Sequence, residues 1–216
     1  MALPEKRAGT RQQAATSATE PPGTSNEARW AEVLTAAAEL FAEKGYAETT
    51  VQDVASRAGL VNKGSLYYYI NTKEDLLWQL ALQVHTDVLE RYKQDEPTLG
   101  DDPPTRLASF IRWWTRYIIE TTPQFGWVGR EMRSLSQERA ATLAKLRRQF
   151  RSIIIRILRD GVEDGSFNPD LDMNIVLHSI VSLVQGTTDW YQAPGRGSLD
   201  DVISWYQRSI LRGLVR

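Results

Sequence analysis

From about Glu27 to the C-terminus, apolar residues recur at intervals of three and four. That one periodicity excludes most folds. Val33, Ala37, Leu40 and Phe41 open the pattern, and Gly45 after Lys44 is a stop. Thr50 is placed to cap a second helix, with Asp53 three residues on and Val51, Val54, Ala55 and Ala58 on its inner face. Gly59 ends it, a very short third helix is predicted from about Lys63 to Ile70, and Thr72 caps a fourth running to about Asp95. Leu76, Leu77, Leu80, Val84 and Val88 form the apolar stripe of that long helix. After a Pro/Gly/acidic loop, helical spacing resumes with Leu107, Phe110, Ile111, Trp114 and Ile118. Pro123 is expected to break this helix and start another that ends near Leu135. A long helix from Leu143 to Leu158 should stop near Gly161 to Gly165. Asp172–Tyr191 reads as a helix buried on more than one face, and a last helix carries Val202, Ile203, Tyr206, Ile210 and Leu214. No stretch alternates as a strand does, so the fold class is all-α.

The composition suits this: 42% apolar and 25% charged residues over 216 positions are ordinary for a globular chain. With no cysteine there is no disulfide and no thiolate nucleophile or metal ligand. No apolar run approaches the ~18 residues of a membrane span, and a cytoplasmic protein without membrane partners is expected. Residues 1–26, rich in Ala, Thr, Pro, Gly and Ser, read as a disordered tail. Residues 27–72 then form a compact unit of short helices, and 73–216 a larger helical domain.

The short-helix unit carries the segment AGLVNKGSLYYYINTKEDLL, Ala58 to Leu77. Helix, turn and short helix make a helix-turn-helix, whose second helix can enter a DNA major groove. Leu66 and Ile70, four apart, face inward, which turns Lys63, Ser65, Tyr67 and Tyr68 outward and leaves Tyr69 at the margin. Phenol hydroxyls suit phosphate oxygens, and their rings can pack on sugars and thymine methyls. Gly64 lets the backbone approach a phosphate, and Lys73 stands in the first turn after Thr72, where an anion is favoured. The residues alone also allow Tyr67 and Tyr68 to cover a neighbouring helix with Lys73 solvated.

The runs ELFAEKGYAETTVQDVASRAG, KGSLYYYI and TKEDLL together resemble the TetR family of bacterial transcription regulators. The resemblance implies an N-terminal three-helix DNA-binding domain on an α-helical ligand-binding and dimerisation domain. It places Lys63, Gly64, Ser65, Tyr67, Tyr68, Tyr69 and Lys73 at operator-contacting positions, and Thr50 where the second helix meets a phosphate. One departure stands out: Leu60-Val61-Asn62-Lys63 puts one residue more than the family usually has between Gly59 and Gly64. The unit is also not basic, since Glu27, Glu32, Glu39, Glu43 and Glu48 outnumber its cations. Affinity for double-stranded operator DNA must then come from placed contacts and from two copies of the unit.

Ile180, Val184, Ile203, Tyr206, Ile210 and Leu214 carry more apolar surface than one neighbouring helix covers, with Gly186 allowing close approach. By pattern they fill either the core of one protomer or a homodimer interface; the resemblance implies the dimer. GSFNPDLD and TTDWYQAPG are similar to regulators of lipid, steroid-ring and aromatic-acid catabolism, several of which respond to acyl-CoA thioesters. Trp113, Trp114, Tyr117, Trp127 and Phe150 are candidate lining for such a ligand, and Arg130, Arg147 and Arg151 are candidate phosphate contacts. His178 is a core histidine or a ligand contact. His85 and His178 are the only histidines, and neither has a carboxylate spacing that suggests a metal. No nucleophile elbow, phosphate loop or carboxylate pair points to an enzyme, and no cofactor is expected. The expectation is a small-molecule-responsive dimeric repressor; the alternative is a helical binding or scaffold protein without operator contact.

Overall fold

A computed structural model describes residues 22–60, 67, 70–125, 128–191 and 197–215, without side-chain detail at 22–25, 97 and 122–125. Helices α1 (Pro22–Lys44), α2 (Val51–Arg57), α3 (Lys73–Asp95), α4 (Pro103–Phe125), α5 (Val128–Glu131), α6 (Gln137–Glu163), α7 (Met173–Trp190) and α8 (Leu199–Leu214) follow in chain order. Among the described residues there is no strand.

Helix α1 begins at Pro22, inside the segment expected to be a tail. Proline is tolerated there because the first helical N–H has no partner to lose. Gly45 ends α1 with φ +84°, a conformation an L side chain resists. The predicted cap of α2 forms on both sides: Thr50 Oγ1 accepts from Asp53 N at 3.1 Å, and Asp53 Oδ2 accepts from Thr50 N at 2.9 Å. Asp75 closes the same box around Thr72 at the head of α3.

Two apolar clusters organise the chain. The first holds Val33, Ala37, Leu40 and Phe41 of α1, Val54 and Ala55 of α2, Ile70, and Leu76, Leu77, Leu80 and Ala81 of α3. Val128, Leu135 and Leu143 join this cluster from the C-terminal half. The second surrounds α4, which packs on α6, α7 and α8 through Leu107, Phe110, Ile111 and Trp114. Helix α3 therefore lies in both clusters, its first turns in one and Val88, Leu89 and Tyr92 in the other.

One expectation about helix ends fails: helix α4 runs through Pro123 to Phe125 instead of breaking at the proline. Helix α6 ends at Glu163, within the expected Gly161 to Gly165. Gly161 is needed for a different reason, because a Cβ there would sit 2.1 Å from the Phe167 ring that folds back on the helix.

Candidate functional site

Ion pairs within the N-terminal unit engage several of its acids. Arg57 on α2 donates to both oxygens of Glu43 at 3.0 and 2.9 Å and to Glu39 at 3.2 Å, and Arg29 pairs with Glu32. The carboxylates that made the unit look unsuited to a polyanion are thus partly internal fasteners. Tyr67 is helical and 53% exposed while Ile70 is buried, the orientation predicted for both. Lys63, Gly64, Ser65, Tyr68 and Tyr69 lie outside the described residues, as do Val61 and Asn62 of the lengthened turn. Thr50 is exposed, with its hydroxyl oxygen engaged by the Asp53 N–H.

Lys73 does not hang free at the head of α3. Its ammonium donates to the carbonyls of Tyr46 at 2.8 Å and Ala47 at 3.0 Å, and lies 4.4 Å from the centre of the Tyr46 ring. It ties the α1–α2 loop to α3, which explains a cation at a helix N-terminus without any phosphate. On the other side of the same turn, Glu74 and Asp75 both meet Arg139 of α6, Glu74 at 3.2 Å, and Glu74 also accepts from Ser136 N at 2.8 Å. Burial alone would raise the Asp75 carboxyl, but the Arg139 guanidinium and the Thr72 and Asn71 N–H groups outweigh it and hold the pKa below the usual value.

Between α3, α4, α5, α6 and α7 lies a cavity of about 720 Å³. Its apolar wall is Val84 and Val88 of α3, Trp114, Tyr117 and Ile118 of α4, and Phe150 of α6. Arg130, Arg147 and Arg151 also line it. None of these three has a carboxylate partner among the described residues, whereas Arg156 pairs with Glu96 and Arg139 with Glu74 and Asp75. Burial first, then the neighbouring Arg151 charge, lowers the Arg147 pKa. Guanidinium groups without a carboxylate partner beside an apolar hollow are chemically suited to an amphipathic anion. Ser182, Gln185, Thr188 and Asp189 make the α7 side polar.

The structure thus brings Trp114, Tyr117, Arg130, Arg147 and Arg151 to one cavity, and Trp127 lies outside the described residues. Trp113 is not among the lining. Its indole N–H donates to Asp95 at 2.8 Å and its ring stacks on Tyr117 at 5.7 Å, so it packs behind the wall. His178 does not face the cavity either; it is exposed on α7, with Nδ1 bonded to Asn174 O at 2.7 Å. The histidine in the cavity is His85, on α3. Its position one residue after Val84 on the apolar stripe was the available signal.

The residues expected at the dimer interface are occupied within the protomer. Ile180, Val184, Ile203 and Tyr206 are buried, and Ile210 is partly buried against the core. The Tyr206 hydroxyl is bonded to Thr187 Oγ1 at 2.8 Å, joining α7 to α8 internally. Helices α7 and α8 instead show solvent a different set: Ile175 is 66% exposed, Trp205 56%, and Trp190 is also exposed. Helical spacing alone cannot separate these faces, because both carry large apolar residues.

Known proteins resemble this chain in sequence and in fold. Residues 33–80 match the description "Bacterial regulatory proteins, tetR family", and residues 100–214 match "Tetracyclin repressor-like, C-terminal domain". The chain is 30% identical over 186 residues to the HTH-type transcriptional repressor KstR2 of Mycolicibacterium smegmatis, covering 86% of this chain and 90% of that protein. The structure of the ketosteroid transcriptional regulator KstR2 of Mycobacterium tuberculosis superposes with a TM-score of 0.74 at 30% identity, over 87% of this chain and 95% of that one. AibR, solved in complex with isovaleryl coenzyme A and operator DNA, has a TM-score of 0.74 at 19% identity, over 84% of this chain and 97% of that one; this is a likeness of fold.

Proposed function

The chain belongs to the TetR family of bacterial regulatory proteins, and from that premise we propose that it is a dimeric transcriptional repressor released from operator DNA by an acyl-CoA thioester. One observation carries the ligand response. Helix α3 places Leu76, Leu77, Leu80 and Ala81 in the core of the DNA-binding unit, and the next turn places Val84, His85 and Val88 on the cavity wall. A ligand in the cavity therefore touches the helix that seats the DNA-binding unit. Release requires only that the effector bind one position of that helix better than the other.

The effector class follows from the lining. Trp114, Tyr117, Phe150 and the α3 valines suit an acyl group, and Arg130, Arg147 and Arg151 suit the phosphates of coenzyme A. The relatives that are repressors of the KstR2 type support the repressor half of the reading. Tyr67 and the segment around it contact the operator. Two protomers meet through the exposed faces of α7 and α8, with Ile175 and Trp205 among the contacts, rather than through the internal residues of those helices.

The test is a gel shift with the DNA upstream of the protein's own gene, followed by titration with a panel of acyl-CoA thioesters. Retarded DNA that is freed by a thioester is the expected result, and Arg147→Ala with Arg151→Ala should weaken the response without preventing DNA binding. A folded dimer that gives no shift at low salt would favour a ligand-binding protein that has no operator. Release by free hydrophobic acids but not by thioesters would remove coenzyme A from the reading.

A further inference from the structure

His85 stands in the cavity with one ring nitrogen committed and the other open. Nδ1 lies 2.7 Å from the carbonyl oxygen of Ala81, one turn earlier on α3. A carbonyl oxygen only accepts, so Nδ1 carries the proton of the neutral ring. Nε2 is then a bare lone pair. No other hydrogen bond is made by the His85 ring among the described residues, and no side-chain nitrogen or oxygen buried from solvent lacks a partner. Nε2 is therefore accessible, and the space beside the ring is the cavity that His85 lines. Burial, the largest influence, and the positive charge of Arg147 lower the pKa of the ring, with the Ala81 hydrogen bond working against them.

Other acceptors of the lining, Asp189 of α7 among them, stand on helices other than α3. The charged groups on the α5 and α6 sides of the cavity, Arg130, Arg147 and Arg151, are all donors. On the α3 side, Val84 and Val88 flank His85 and carry no polar atom. A ligand group reaching α3 through apolar surroundings finds one polar atom there, and that atom can only accept. From this placement we infer that His85 is a specificity-determining residue whose Nε2 accepts a hydrogen bond from a donor group on the effector. The inference rests on the thioester reading above and adds what that reading leaves open. The donor has two possible sources in an acyl-CoA: a hydroxyl on the acyl chain, or an amide N–H of the pantetheine arm. A site built around an acceptor discriminates against a ligand without the donor, because the lone pair loses its water on binding and gains nothing.

Calorimetric titration of octanoyl-CoA and 3-hydroxyoctanoyl-CoA into the wild type, His85→Leu and His85→Gln tests the assignment. If the acyl hydroxyl is the donor, the wild type prefers the hydroxylated thioester by about tenfold and His85→Leu loses that preference. If a pantetheine amide is the donor, His85→Leu binds both thioesters about tenfold more weakly. In either case His85→Gln, which keeps an acceptor oxygen, recovers part of the affinity. Equal binding of both thioesters by wild type and His85→Leu overturns the role of His85 and leaves the thioester reading standing. Failure of the wild type to bind either thioester overturns both. A further readout needs no effector: nitrogen-15 shifts of the free protein, assigned with His85→Leu, should show Nδ1 protonated and Nε2 bare at neutral pH. A proton on Nε2 overturns the assignment.

Discussion

Replacing Arg139 by alanine should loosen the DNA-binding unit from the effector domain. Arg139 stands in the first turns of α6 and reaches the first turn of α3, where it meets Glu74 at 3.2 Å and also Asp75. The three side chains are 29%, 29% and 19% exposed, so solvent screens the cluster only in part. Two unit charges 4 Å apart interact by roughly 4 kcal/mol at an effective dielectric of 20, before the cost of removing them from water. The net loss on truncation, two carboxylates left without their shared cation, should be about 2 kcal/mol. For a chain of this size that is a fall in melting temperature of roughly 4–8 °C. Arg139→Lys should fall between, because an ammonium keeps the charge but not the planar fork that reaches two carboxylates. The assays are thermal melting and effector-dependent release from DNA. The cluster joins α6, which carries Arg147 and Arg151, to the helix head that follows the DNA-binding segment, so Arg139→Ala should also blunt release at saturating effector. A melting temperature within 2 °C of wild type would refute the energetic reasoning. Normal release from a clearly destabilised protein would show the cluster to be a fastener with no part in the response.

Lys73→Met removes two hydrogen bonds to carbonyls and a cation–ring contact, and should cost about 1–2 kcal/mol in chemical denaturation. Unchanged stability with abolished operator binding would make Lys73 a DNA contact instead. Glu74 and Asp75 have lowered pKa values, the first chiefly through the Ser136 N–H. Their contribution to stability is present above the unfolded-state pKa near ~4 and lost as pH falls through the lowered folded-state values. Denaturation midpoints should therefore drop below about pH 4 in the wild type and drop less in Arg139→Ala; equal acid sensitivity would place the loss elsewhere. Ile175→Glu with Trp205→Glu should yield folded monomers in analytical ultracentrifugation. Persistent dimers would move the interface off these exposed faces.

What the sequence displayed clearly was local. The capping boxes at Thr50 and Thr72 were legible because both partners lie within three residues of each other. The apolar stripes of α1, α2, α3, α4, α6 and α8 were legible because 3.6-residue spacing is a property of one helix. Reach across the chain was not. Nothing near Lys73 announces that a loop 26 and 27 residues earlier holds its ammonium. Nothing around Arg139 separates it from Arg147 and Arg151, yet tertiary contacts pair the first with two carboxylates and leave the others facing a cavity. The exchange of roles between His85 and His178 has the same origin. Each bonds the carbonyl four residues back on its own helix, and only the neighbouring helices decide which ring meets a hollow and which meets water.

The cavity shares a wall with a second, smaller one beside the DNA-binding unit. This second cavity, of about 450 Å³, lies between α1, α3 and α4, bounded on the α1 side by Trp30, Ala31, Leu34 and Ala38. Val84, Tyr117 and Thr121 line both spaces. A close-packed partition would resist any shift of α1, because interiors at native density transmit displacement instead of absorbing it. Here the displaced side chains have somewhere to go: filling the larger space can drive the shared wall toward the smaller one, and α1 forms its far side. A repressor needs only a modest bias for this to matter, since a coupling of ~1–3 kcal/mol changes operator affinity some 5- to 150-fold. A change in Tyr117 packing together with one hydrogen bond at His85 falls within that range. Tight binding alone would not suffice, because an effector that fits both positions of the wall equally shifts nothing. In the proposed mechanism the response is set at the wall the two cavities share and by contacts with α3 that differ between its two settings, while the arginines hold the anionic end.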